Sequence, residues 1–347
     1  LSDIAKGILA GGWSLIAGWI LPAAINLLLL YALVLPSMHG TKIIDSVLNE
    51  SIAQRSLILF VASVVIGLML NALQTPLYRF LEGYLLWPPG LVKVRRNYHL
   101  DKKSKLADQI DALSHPGTDE EINPAPSESL FPLKVGSKLA AFFRQGDRDR
   151  TAVQRAPLRE RLHRYPVDNA QVAPTRLGNA IRRLEEYGFQ RYKLDSQTLR
   201  YQLAGAAPRQ MRDQVDTART GVDFFVCLLY GNILVAFIAL CTTVAPRANN
   251  VVLLISASAL IFASLLWYRL AVVTTDDWAA AIRAMVDIGR KTLADAVGLA
   301  IPQELELERK MWQAYSRFVR RPFQEGKSVS LDQFRVSVLN DENKDSE

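Results

Sequence analysis

Five residues near the middle of the chain have the types and spacing to hold an anion. They are Arg176, Gly178, Asn179, Arg182 and Arg183, within "PTRLGNAIRRLEEYGFQRYKLD" at 174–195. Pro174 suits a first helical turn, whose N–H groups lack partners anyway, and Gly178 one turn later leaves room for another backbone or a ligand. Unpaired N–H groups at a helix start attract anions, and the arginines could add bidentate contacts to phosphate or carboxylate. A plainer reading competes with this one. In it Leu177, Ile181 and Leu184 are a core face, Gly178 permits close packing, and Arg182 and Arg183 pair with Glu185, Glu186 or anionic lipid.

A second set lies in apolar sequence: Asn26 just after Pro22, and Asn232 beside Gly231. Repeated around an axis, a ring of amides would hydrate a lumen and make these two residues pore-lining. Alternatively each hydrogen-bonds a neighbouring helix, a contribution of about 1 kcal/mol. No ionisable residue lies deep in the apolar runs, which counts against a proton-coupled or ion-coupled transporter. His39, His99, His115 and His163 are isolated, without metal-ligand spacing, and no GxxxxGK, nucleophile elbow or HExxH occurs. The expectation is a non-enzyme with no metal and no cofactor. Cys227 and Cys241, on one expected helix about 21 Å apart along its axis, are beyond disulfide reach.

The elements that position these residues can be read from the distribution of charge. The chain has 347 residues, half of them hydrophobic, and a net charge of +7. Residues 13–35 are uncharged, and at 1.5 Å per residue they cross a hydrocarbon core of about 30 Å with some tilt. Residues 56–73, 224–244 and 251–268 are similarly uncharged, so four transmembrane helices are expected. The first exceeds a signal core, has only Lys6 before it and no small-residue cleavage site after it, so it is expected to remain in the mature chain. Arg79, Lys93, Arg95, Arg96, Lys102, Lys103 and Lys105 come after the second run, and Arg209, Arg212 and Arg219 precede the third. The intervening loops hold only Lys42, Arg55 and Arg247. This bias puts both termini and the long middle segment in the cytoplasm.

The expected fold class is an all-α membrane protein, four transmembrane helices in a 2 + 2 arrangement with a mostly helical cytosolic insert. Its parts are a hairpin at 1–78, a basic module at 79–220 with a flexible linker at 114–127, a second hairpin at 221–273, and C-terminal helices with a charged tail at 274–347. After Asn71 a helix with the stripe Leu77, Phe80, Leu81, Tyr84 and Leu85 leaves the bilayer and stops at Pro88–Pro89. Tyr84 and Trp87 then lie at headgroup level and the basic cluster over anionic lipid. Residues 206–220 form a polar helix or linker. Asp276 and Asp277 cap a helix ending near Gly298, and Pro302 opens another with the stripe Leu307, Met311, Tyr315 and Phe318. Residues 328–339 alternate loosely, as an edge strand would. Asp195 caps a short helix after a Tyr187–Gly188 turn.

"PTRLGN" together with the later "Y…RYKLD" resembles a segment of bacterial multi-span membrane proteins of actinobacterial type, over about thirty residues plus the order of spans. That resemblance implies no activity. By analogy alone, some multi-span proteins with cytosolic modules are pore-forming effectors of bacterial defence systems. The expected function is an oligomeric channel or pore in the bacterial inner membrane. Its basic module would sense an anionic nucleotide or oligonucleotide ligand, or a cytosolic protein partner. The alternative is a membrane scaffold that recruits a partner and conducts nothing.

Overall fold

The computed structural model describes residues 12–38, 50–114, 153–244, 249–322 and 329–336. Among them the regular structure is helical: α1 (Gly12–Leu33), α2 (Ile52–Ala72), α3 (Gln74–Glu82), α4 (Pro89–Ser114), α5 (153–163), α6 (Arg176–Tyr192), α7 (Arg200–Ala206), α8 (Arg209–Thr242), α9 (Asn250–Ala296) and α10 (Leu305–Arg320). Helices α1, α2, α8 and α9 are long and apolar enough to cross a membrane. The chain divides into two compact units, Leu1–Leu81 with Leu184–Glu347, and Glu82–Arg183.

In the first unit α8 and α9 pack along each other, α1 packs on both α8 and α2, and a smaller contact joins α1 to α9. Pro22 disturbs α1, because without an N–H it cannot bond the Gly18 carbonyl four residues earlier. The helix responds with a π-type turn over Ile16–Ile20, in which the Leu21 N–H reaches the Ile16 carbonyl. The carbonyl of Trp19 in this turn accepts the Cys227 thiol at 3.6 Å. Helix α2 starts at a capping box, Ser51 and Gln54 each bonding the other's backbone N–H.

Helices α8 and α9 run on well past their uncharged segments. With no proline in either and no glycine between Asn250 and Ile288, nothing breaks them, and Ala271, Val272, Thr275 and Ala279 stay buried. Asp276 and Asp277 therefore lie inside α9 and do not cap a new helix. Residues 209–220 are the first turns of α8. At 34 and 47 residues the two helices measure about 51 and 70 Å, much more than a bilayer core requires.

Their polar ends join α7, α10 and the second half of α6 around Leu194, Leu199, Leu203, Val286, Leu293, Met311 and Trp312, all buried. Gly298, at φ +71°, lies just past the end of α9 as a left-handed terminator. Helix α10 buries Glu308, Met311, Trp312 and Ser316. Its buried face is thus rotated from the expected stripe, leaving Leu307 and Phe318 more than a third exposed. Residues 329–334 form a 3₁₀ turn instead of a strand, with one isolated bridge from Leu299 to Arg335. The linker at 114–127 and the tail lie outside the described residues, apart from Ser114.

The second unit holds α4, α5, a 3₁₀ turn at Asn169–Gln171 and the start of α6. Pro88 and Pro89 open α4; the preceding helix has already ended at Glu82, where Gly83 takes φ +89°. Leu106, Ile110, Tyr165, Val172, Leu177 and Ile181 are buried.

Candidate functional site

Helix α6 begins at Arg176, one residue beyond a threonine cap. The Thr175 hydroxyl accepts the Gly178 N–H at 3.0 Å, satisfying one amide that an anion would otherwise claim. Asn179 is almost wholly buried and its amide is fully used. Its Oδ1 accepts the Ala173 N–H at 2.8 Å, and its Nδ2 donates to the carbonyls of Ala173 and Thr175 at 3.0 and 2.7 Å. A β-carbon at Gly178 would stand 2.8 Å from the Glu82 carbonyl oxygen, so glycine here serves close backbone approach. Pro174 precedes the helix and packs at Gly83.

The five anion-site residues thus share one helix without converging. Arg176 is exposed, Gly178 and Asn179 face inward, and Arg182 donates from Nε to the Tyr84 hydroxyl at 2.7 Å with its guanidinium 5.1 Å over that ring. Arg183 is half-buried. Leu177, Ile181 and Leu184 are all buried, as the plainer reading expects. The turn after α6 falls at Lys193, φ +58°, and not at Tyr187–Gly188, which are helical. Asp195 caps the turn at 196–199 and not a helix, accepting the Gln197 and Thr198 N–H groups at 3.1 and 3.0 Å, and α7 starts only at Arg200, after Leu199.

Beside this helix start α4 presents a basic inner face. Arg96 donates to the carbonyls of Val172, Asn169 and Ala170, and Lys103 to the Val167 carbonyl and the Asn169 side chain. Between them His99 is fully buried, its Nδ1 3.0 Å from the Tyr165 hydroxyl. Burial, reinforced by Arg95, Lys102 and Arg176, pushes its pKa down to about 4. The imidazole is neutral at pH 7.

In the apolar bundle Asn26 and Asn232 are both buried within one copy. Asn26 Nδ2 donates to the Pro22 carbonyl at 2.9 Å and to the Cys227 carbonyl of α8 at 3.4 Å, and a β-carbon at Gly231 would fall inside its amide. The Oδ1 atoms of both asparagines have no partner among the described residues.

A cluster at one end of the apolar run of α8 is one that the sequence does not announce, because Asp223 sits just outside the uncharged run that starts at Phe224. Asp223 is buried. It accepts the Tyr78 hydroxyl at 2.6 Å and a hydrogen bond from the Trp19 side chain, and its other oxygen lies 3.8 Å from Arg219 Nε. Arg219 donates to Gln74 at 3.0 Å and lies 5.8 Å over the Trp278 ring. The available signal is the Arg219–Asp223 spacing of one helical turn directly before an uncharged run. This cluster ties α1, α3, α8 and α9 together.

A further polar network, equally unannounced, closes the polar body. Arg290 pairs with Glu308, which also accepts the Trp312 ring N–H at 3.1 Å, and the Arg290 guanidinium lies 4.3 Å over Tyr192. Tyr187 and Tyr192 both donate to Asp287, and burial together with that carboxylate pushes their hydroxyl pKa values up. Arg309 donates to the last carbonyls of α6, those of Gln190 and Arg191. Arg320 pairs with Asp195 and donates to Thr198.

Comparison with known protein families, characterised proteins and solved structures found no match.

Proposed function

We propose that the chain is an integral membrane anchor in a bacterial cell membrane, presenting a rigid helical body to the cytoplasm for a protein partner. The observation that carries this reading is the continuity of α8 and α9. Each passes without a break from an apolar segment into a body locked by the Asp223 and Glu308 networks. The lysine and arginine bias supports the cytoplasmic side for that body and for both termini. Phe189, Tyr201 and Phe318 stand 43%, 79% and 42% exposed on it, apolar surface that a partner would cover. Arg176 is the exposed member of the anion-site set, and an acidic segment of the partner suits it.

A second reading, an oligomeric channel gated by a nucleotide or oligonucleotide, draws on one observation. Asn26 and Asn232 each keep an amide oxygen without a partner among the described residues of an apolar bundle, and water or an ion would satisfy it. Against it, both amides face inward in one copy, and the outward faces of α2, α8 and α9 carry Phe60, Val65, Leu234, Phe237 and Leu265. Those side chains suit lipid better than a lumen. Ion flux through liposomes holding the purified chain separates the two. The anchor predicts no flux with or without nucleotides or short oligonucleotides, whereas flux that changes in Asn26→Leu and Asn232→Leu would establish the channel and end the anchor reading.

A further inference from the structure

The loop before α4 and the outward face of that helix carry apolar side chains left uncovered by the described residues. Leu86 is 82% exposed at the tip of the loop and holds φ +61°, a conformation uncommon for any residue but glycine. Pro88 and Pro89 stiffen the chain between this loop and α4, so the leucine is displayed by a constrained turn. Leu91, Val94 and Tyr98 continue the surface at helical spacing, 46%, 65% and 48% exposed. The opposite face of α4 is fully occupied, by Arg96 and Lys103 bonding the 167–172 loop and by buried His99, Leu106 and Ile110. The first turns of α4 therefore expose apolar side chains on one side while the other side is satisfied, and beyond Tyr98 the exposed positions as far as Asp111 are polar, Asp101 among them.

Charge and connectivity select the occupant. Arg95 lies 5.3 Å over the Tyr98 ring, Lys93 directly precedes Val94 on the flank of the stripe, and Lys102 and Lys105 extend the basic surface one to two turns further. Apolar side chains at a helix start with lysine and arginine around them suit the boundary of an anionic leaflet, where the rings and aliphatic stems sit among the acyl chains and the cations meet phosphate. Only ten residues separate Ala72, the last of α2, from Gly83. An apolar segment long enough to span a bilayer thus keeps the patch close to one by the covalent chain alone.

We infer that Leu86, Leu91, Val94 and Tyr98 form a lipid-inserting wedge that holds the 82–183 unit on an anionic membrane surface through Lys93, Arg95 and Lys102. The contact lies beyond the stripe that the sequence suggests, on the loop tip and α4 instead of on the helix after Asn71. The inference rests on the membrane reading of α2.

The test uses the full chain in nanodiscs, with Cys227→Ala and Cys241→Ala as background. An environment-sensitive fluorophore is placed at Leu86→Cys, Val94→Cys or, off the apolar stripe, Ser104→Cys. Emission at Leu86 and Val94 should shift to the blue and be quenched by spin-labelled lipid, more in phosphatidylcholine mixed with phosphatidylglycerol than in phosphatidylcholine alone, while Ser104 stays aqueous. Lys93→Gln or Arg95→Gln should lower the ratio of lipid-contacting to free wedge roughly fivefold per charge in the anionic mixture. Aqueous signals at Leu86 and Val94 in both lipids would overturn the inference. So would a blue shift without lipid quenching, which means a protein cover, or quenching indifferent to phosphatidylglycerol and to both substitutions. A chain that stays dispersed without detergent or nanodisc would instead overturn the membrane reading itself.

Discussion

Trp312→Ala is expected to destabilise the polar body by about 3–5 kcal/mol, the usual cost of emptying a fully enclosed aromatic site. Trp312 has no exposed surface, and around it lie Tyr315, Met311, Leu293 and Leu203 in one cluster. Its ring N–H also holds Glu308 in place for Arg290. Losing the ring would free the carboxylate and weaken the ion pair that joins α9 to α10, on top of the cavity. Trp312→Phe keeps most of the packing and removes only the hydrogen bond, so a smaller loss of about 1–2 kcal/mol is expected. Pulse proteolysis in urea on the protein in nanodiscs reads both. A loss below about 1 kcal/mol for the alanine variant would mean that the packing around Trp312 is not what holds the body together.

Gly231→Val should separate α1 from α8. The Asn26 amide occupies the space where the new β-carbon must go, so Asn26 has to leave its bonds to Pro22 and Cys227 or the helices must move apart. Either route costs about 3 kcal/mol, combining overpacking with an unpaired amide. The midpoint of unfolding in a detergent titration should fall accordingly. Asn26→Ala removes the amide that clashes, so the double variant should recover much of the loss, a coupling that independent sites would not show. Strict additivity of the two would contradict the contact.

The range of each interaction decides whether the sequence discloses it. The four apolar helices are legible because a run of some twenty uncharged residues is a local property. The lengths of α8 and α9 are not, since Asp276 and Asp277 suit a cap, and only their burial-facing neighbours Val272, Thr275 and Ala279 keep the helix going. Asp195 is readable as a cap because its side chain acts within three residues. Asn179 looks available to a ligand because its amide turns back onto the Ala173 and Thr175 backbone, a loop shape that residue types alone do not spell out, and Gly178 because the Glu82 carbonyl that crowds it is far away in sequence. Asp223 is hidden for the same reason: Tyr78 and Trp19 lie at least 145 residues from it in sequence. The leucine stripe of α6 is legible from spacing alone, whereas α10 needs its neighbours to reveal which of two overlapping stripes faces inward.

Lipid encloses the long apolar helices, with the polar body on the cytoplasmic side, if the chain is the anchor proposed above. Impermeant maleimide labelling of the full chain in intact bacterial cells, in a Cys227→Ala and Cys241→Ala background, measures this directly. Val244→Cys, at the far end of α8 and 87% exposed, should react in intact cells, and Gln197→Cys, exposed on the polar body, only after the membrane is permeabilised. Labelling of Gln197→Cys in intact cells, with Val244→Cys protected, would contradict it.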